Sequence, residues 1–135
     1  MIRTYLDTGV LIAAFGGNDE VSERAMQYIE DENREFIASD ILELELLPKA
    51  RFHAQQTEAN FYELFLQQAT QHVITQPAHI QRAIVLASEY GLAACDALHA
   101  ALADDAEANE FITAEKPNKP FFRLNLQGMR IISCR

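Results

Sequence analysis

The sequence has no tryptophan, only two cysteines and little positive charge. Cys95 and Cys134 form no C-x-x-C pair, and His53, His72, His79 and His99 show no zinc spacing with each other or with the cysteines. A zinc-stapled or disulfide-stapled scaffold is therefore excluded, and a reduced, cytoplasmic protein is expected. No apolar run approaches the roughly 18 residues needed to span a bilayer. Arg3 and Asp7 interrupt any apolar segment near the start, so no signal peptide is expected there. A glycine-rich phosphate loop and a G-x-S-x-G elbow are both absent. So are linkers, internal repeats and low-complexity segments. Acids outnumber bases 20 to 11, a formal charge of −9. Such a surface repels nucleic acid at long range, so an RNA or DNA partner would need local bases or bound cations.

What is present is one domain's worth of chain, residues 1–135, with 49% apolar residues to build a core. The opening stretch sets the pattern. Ile2 to Leu6 has β character, Asp7 follows, and Thr8 to Phe15 reads as a short helix closed by Gly16-Gly17. Asn18 or Asp19 caps a second helix carrying Val21, Ala25, Tyr28 and Ile29. Phe36-Ile37-Ala38 is a brief strand, Ser39 an N-cap, and Asp40 to Leu47 a helix that Pro48 should end or kink. Thr57 to Ala69 is amphipathic and helical, either part of the layering or an excursion off it. His72 to Thr75 is a strand; Pro77 opens a helix that runs to Tyr90, with Gly91 as its C-terminal cap. Leu92 to Ala106 is an alanine-rich helix, Phe111 to Thr113 a strand, and Arg130 to Ser133 the last strand. Short apolar strands alternating with helices predict an α/β fold, a parallel sheet covered on both faces.

Four acidic positions share one local logic: each lies just beyond a strand or near a helix start. They are Asp7, Asp96, Glu115 and either Glu43 or Glu45. Residues two apart on a helix point about 200° away from each other. Projected on the helix, Glu45 falls between Ile41 and Leu42, while Glu43 lies near Ala50 and Arg51. A carboxylate inside the apolar sector needs a reason, because an unpaired buried charge is costly. Glu45 is thus the expected site residue, and Glu43 reads as a solvated side chain. Four carboxylates drawn together would raise one another's pKa, a penalty that Mg²⁺ or Mn²⁺ removes. One or two such ions suit hydrolysis of a phosphodiester. The alternative is that Asp7 and Asp96 cap helices while the glutamates are surface residues.

Leu6-Asp-Thr-Gly-Val-Leu-Ile12, Ser39 with Glu45-Leu-Leu47, Cys95-Asp-Ala-Leu-His-Ala-Ala-Leu-Ala103 and Phe111-Ile-Thr-Ala-Glu115 resemble, in order, the signatures of PIN-domain nucleases. The length is similar to that of VapC-type toxins. The resemblance implies a three-layer α/β/α fold with a five-stranded parallel sheet of order 3-2-1-4-5. It also implies a Mg²⁺- or Mn²⁺-dependent endoribonuclease, the toxin of a type II toxin–antitoxin pair. Its acids map to Asp7, Glu45, Asp96 and Glu115, and its site hydroxyl to Thr113. A small antitoxin inserting basic side chains into the site, and a homodimer, are the implied partners besides RNA. Glu115 departs from the family's usual Asp, and Lys116-Pro-Asn-Lys-Pro120 follows it.

Lys116, Lys119, Lys49, Arg51 and Arg123 flank these acids and are candidates for holding phosphates. His99, three residues after Asp96, either touches the site or is a partly buried helix residue; Cys95 reads as a small buried residue. Two other functions are consistent with parts of the pattern. A catalytically idle PIN-fold interaction module would keep the fold alone. A haloacid-dehalogenase-like phosphatase also begins with strand-Asp but needs a second acid two residues on, where this chain has Gly9.

Overall fold

The computed structural model describes residues 1–17 and 19–135. In order, its elements are β1 (Ile2–Leu6), α1 (Thr8–Gly16), α2 (Glu20–Ile29), β2 (Arg34–Ser39), α3 (Asp40–Phe52) and α4 (Gln56–Gln68). There follow β3 (Gln71–Val73), α5 (Pro77–Tyr90), α6 (Ala94–Asp105), β4 (Glu110–Thr113), a 3₁₀ turn (Pro120–Arg123) and β5 (Arg130–Ser133). The strands form one five-stranded sheet of order β3-β2-β1-β4-β5, and every neighbouring pair is parallel. Among the described residues, no helix is long and apolar enough to cross a membrane.

Period-two alternation in the central strands divides the core into two layers. Leu6, Ala38 and Ile112 point to the face covered by α1, α2, α3 and α4. Their neighbours Tyr5, Ile37 and Phe111 point to the face covered by α5, α6 and the 3₁₀ turn. Tyr5 and Phe111 stack there with ring centroids 5.2 Å apart, and Phe121 packs on Phe111 at 4.7 Å. The small side chains of Ala97, Ala100, Ala101 and Ala103 are buried, which lets α6 lie close to the sheet. The Thr57–Ala69 segment is α4, which packs on α3 and α1 and so belongs to the first helical layer.

Several boundaries differ from the sequence reading for identifiable reasons. Pro48 does not end the helix; α3 continues to Phe52. Leu44, whose carbonyl loses its i+4 donor to the proline, is an exposed residue, as is Pro48 itself. Strand β3 ends at Val73, before Thr75, because the Asp40 carboxylate takes the Thr75 N–H at 3.0 Å and its hydroxyl at 2.7 Å. Helix α6 begins at Ala94, since Leu92 donates its N–H back to Ala87 and completes the cap of α5 beside Gly91 at φ 69°. Ser39 caps α3 through the Leu42 N–H at 3.1 Å, and Asp19 caps α2 through Ser22 at 3.0 Å; Asn18 lies outside the described residues.

At the amino-terminal edge of the sheet lies a buried ionic cluster that the sequence reading did not single out. Glu110, 2% exposed, accepts from the Thr4 hydroxyl at 2.7 Å and pairs with Arg34, which also pairs with Asp31. The Arg34 guanidinium lies 4.8 Å from the centre of the Tyr28 ring. Removing one partner of a buried pair strands the other. Glu110→Gln is expected to lower the free energy of unfolding by about 2–3 kcal/mol. The cluster sits at the end of the sheet away from Asp7. Urea unfolding of the variant and the unaltered protein checks the loss, and an unchanged midpoint would show that the pairing contributes nothing net.

Candidate active site

In an open parallel sheet, ligands bind beyond the carboxyl ends of the strands where the chain's winding reverses. Here the reversal falls between β1 and β4. Asp7 directly follows β1, and Thr113, Ala114 and Glu115 follow from β4. The Asp7 N–H donates to the Ile112 carbonyl at 3.1 Å, which fixes the two strand ends together. Gly9 permits this closeness: a Cβ there would stand 3.2 Å from the Ala114 Cβ and 3.5 Å from the Asp7 carboxylate.

A cavity of about 570 Å³ opens at this crevice, and Asp7, Glu45, Asp96 and Glu115 all line it. They come from four places: the end of β1, the middle of α3, the first turn of α6 and the turn after β4. Glu43 is exposed and lines no part of it. Thr113 is 1% exposed and lies behind the cavity wall, where its hydroxyl oxygen accepts the Glu115 N–H at 3.0 Å. The Ser133 hydroxyl donates to the Glu115 carbonyl at 2.6 Å, so the turn that carries Glu115 is held from both sides.

The acids differ in electrostatic state. Asp7 caps α1 through the Val10 N–H at 3.2 Å, yet burial pushes its pKa up to about 6. Hydrogen bonds from Thr113 and Val10 and the nearby His99 restrain that rise, while Asp96 adds to it. Asp96 is raised by burial and then by the charges of Glu115 and Glu45. Glu45 is lowered, first by its hydrogen bond from His99 and then by that from Thr8, against partial burial. Asp7 and Asp96 thus carry unrelieved negative charge, and Glu45 is held ionised by two donors.

These donors suit a hard divalent cation, which prefers oxygen and keeps several waters. Among the described residues, no three His, Cys, Asp or Glu side chains are drawn together tightly enough to cage a metal. The donor set is all oxygen, and Asp7, Glu45, Asp96 and Glu115 are the residues that would hold such an ion.

Behind Glu45 lies a buried chain of polar groups. His99, 2% exposed, bonds Glu45 Oε1 through Nε2 and the Tyr5 hydroxyl through Nδ1 at 2.5 Å. The Tyr5 hydroxyl in turn lies 2.8 Å from Ser39 Oγ, and burial raises its pKa. The Thr8 hydroxyl donates to the same Glu45 oxygen at 2.7 Å. His99 therefore touches the site, where the three-residue spacing from Asp96 was its only sequence signal. Tyr5 had none beyond its place in a strand.

Lys116, Lys119 and Arg135 line the same cavity. Arg135 was not anticipated; its Nε donates to the Ala114 carbonyl at 2.5 Å, which sets the guanidinium at the rim. Lys49 lines an adjoining cavity of about 420 Å³ that shares Glu45 as its wall. Arg51 is turned to Glu63 at 3.0 Å, and Arg123 is exposed outside both cavities. Cys95 corrects the sequence reading: it is exposed, because it occupies the open side of the first turn of α6, while Cys134 is buried.

The domain model described as "PIN domain" matches residues 4–116. No curated protein matches the chain. Among solved structures, a toxin–antitoxin complex from Klebsiella pneumoniae is similar at 23% identity, covering 93% of this chain and 94% of that one, with a TM-score of 0.68. DNA-bound VapBC from Salmonella typhimurium is similar at 20% identity over 100% of both chains, with a TM-score of 0.71. VapBC2 from Rickettsia felis, bound to a DNA fragment from its promoter, is similar at 15% identity over 98% of both, also at 0.71. Identities this low speak for the fold, whereas the domain match runs from β1 through Glu115 and takes in all four acids. With the sheet order and the acid-lined crevice, it shows that the chain belongs to the PIN domain family.

Proposed function

We propose that the single domain of residues 1–135 is a Mg²⁺- or Mn²⁺-dependent endoribonuclease and the toxin of a type II toxin–antitoxin pair. The observation that carries this reading is the convergence of four carboxylates, from four separate elements, on one open cavity rimmed by Lys116, Lys119 and Arg135. Asp7, Glu45, Asp96 and Glu115 would hold the ions, which would supply an activated water and stabilisation of the leaving oxygen of the phosphodiester. The chain's own residues do the rest. Thr8 and His99 keep Glu45 ionised and oriented. The three rim bases receive phosphates of the strand, which the net charge of −9 would otherwise repel. Gly9 leaves no second acid beside Asp7, which counts against a phosphatase using Asp7 as nucleophile.

The protein partner is a small antitoxin whose basic side chains neutralise the same acids, and the working form is a homodimer. The similarity to structures titled as toxin–antitoxin and VapBC complexes supports the antitoxin.

The raised pKa of Asp7 gives a pH test of the acid site. Below the ordinary value of 3.8, folded and unfolded chains are both protonated there. Between 3.8 and about 6 the folded chain keeps a proton that the unfolded chain has lost, so stability falls as pH rises, and the full penalty holds above 6. The difference corresponds to at most about 3 kcal/mol. Asp7→Asn keeps a good helix cap. Without metal it is expected to flatten the decline in unfolding free energy across this window and to be the more stable protein at neutral pH. Millimolar Mn²⁺ should raise the melting temperature of the unaltered protein, and Asp7→Asn should lose most of that gain. Equal pH slopes together with negligible metal shifts in both proteins would sink the metal site.

Cleavage itself tests the choice of glutamate. Glu45→Gln should abolish cleavage of a labelled RNA with little loss of folding, and Glu43→Gln should be nearly silent. The reverse pattern would mean that α3 presents its other face to the substrate.

RNA binding should depend on the two lysines after Glu115. With Ca²⁺ replacing the catalytic ion, Lys116→Ala/Lys119→Ala is expected to weaken binding and flatten the slope of log affinity against log salt. Each lost contact to a single strand contributes about 0.7 to the slope, so the pair should change it by no more than roughly 1.4. An unchanged slope would place RNA entry elsewhere, for example past Lys49.

A further inference from the structure

We infer that His99, braced by Tyr5, is a positioning residue that turns one chosen oxygen of Glu45 toward the cation. This deepens the metal-nuclease reading above and rests on it. The two side-chain donors that reach Glu45, Thr8 and His99, both bond Oε1. Among the described residues, Oε2 receives no hydrogen bond. A carboxylate pinned by two donors on one oxygen cannot rotate freely, and its second oxygen is left for another partner.

The hydrogens of the chain have a consistent direction. Ser39 Oγ already accepts the Leu42 N–H as the cap of α3, so its own hydrogen is free to go to the Tyr5 oxygen. Tyr5 then donates to His99 Nδ1, and the ring hydrogen on Nε2 is donated to Glu45 Oε1. Run this way, every hydrogen from Ser39 to Glu45 has an acceptor. The chain joins β1, the cap of α3 and α6, the elements that also carry Asp7, Glu45 and Asp96. It therefore ties the orientation of Glu45 to the frame that sets the other two acids. His99 is 2% exposed and Tyr5 wholly buried, so water does not compete for either bond.

Two measurements test this, and the first needs no metal. The ¹⁵N shifts of the His99 ring in the metal-free protein should report the hydrogen on Nε2 and an accepting Nδ1, and Tyr5→Phe should erode that preference. An Nδ1-protonated ring, or one whose signals ignore Tyr5→Phe, would overturn the inference even in an active nuclease. The second is Mn²⁺ affinity, followed by the loss of the free-ion electron paramagnetic resonance signal. His99→Ala should weaken it about 10- to 100-fold, as loss of an outer partner of a ligand typically does. His99→Gln retains an amide donor able to reach Glu45, and it should recover most of the loss. Tyr5→Phe should give a smaller loss at an unchanged helical spectrum. Wild-type affinity in folded His99→Gln and Tyr5→Phe, with no loss in His99→Ala, would overturn the role. If the unaltered protein bound no Mn²⁺, the nuclease reading would fail, and the presentation of Glu45 to a cation would fall with it. A ring protonated at Nε2 and sensitive to Tyr5→Phe would then mark the failure as the ion's and leave the bracing of His99 by Tyr5 standing.

Discussion

Negative charge gathered at the carboxyl edge of the sheet is the constraint around which the rest of the molecule is arranged. Asp7 is carried into the crevice by β1, the central strand, and its position is not adjustable without moving the sheet. Burial there makes its ionised form unfavourable, and Asp96 adds to the penalty. The surrounding groups each moderate that cost. Val10 and Thr113 donate to Asp7, Thr8 and His99 donate to Glu45, and Lys116, Lys119 and Arg135 stand at the rim. None of them neutralises the cluster as a bound cation would, and that is the physical argument behind the proposed metal binding.

The two ends of the sheet divide the work. At the amino-terminal edge, Glu110, Arg34, Asp31 and Thr4 form a buried cluster in which each charge has a partner. At the carboxyl edge four carboxylates face a cavity, and the bases Lys116, Lys119 and Arg135 line it with no ion pair to them among the described residues. A fully partnered network fixes structure, whereas an unpartnered one stores a free energy that ligand binding can release. The same separation allows the fold to be strengthened at one end without relaxing the site at the other.

Charge also governs how such a protein meets its substrate. At −9, the field of the whole molecule opposes a polyanion, so attraction has to be local and short-ranged. Lys116 and Lys119 are placed by the turn that carries Glu115, and Arg135 by the Ala114 carbonyl, so the bases are fixed by the same strand ends as the acids. A partner bearing basic side chains would be drawn by the same field that opposes a polyanion.

Much of this was legible in the sequence, and the reason is periodicity. Two-residue alternation in the central strands and helical spacing elsewhere are local properties, so the alternating elements and the parallel sheet could be read directly. The helical projection that separated Glu45 from Glu43 also depends on one helix alone; Glu45 lines the cavity and Glu43 does not. What could not be read were contacts between residues distant in the chain. Glu110 and Arg34 meet because β4 and β2 both flank β1, and no local pattern marks either as a partner. The helix runs on past Pro48 and β3 stops short of Thr75, because tolerance of a proline on an exposed helix face and capture of Thr75 by Asp40 from another element are decided only after packing. Tyr5, His99 and Glu45 lie on a strand and two helices and become one hydrogen-bonded chain only when α6 settles on the sheet. The sequence by itself determined which residues face inward and where strands end in carboxylates. The tertiary structure alone decided which of those inward polar groups answer one another, because a hydrogen bond is fixed by distance and direction in space and not by separation along the chain.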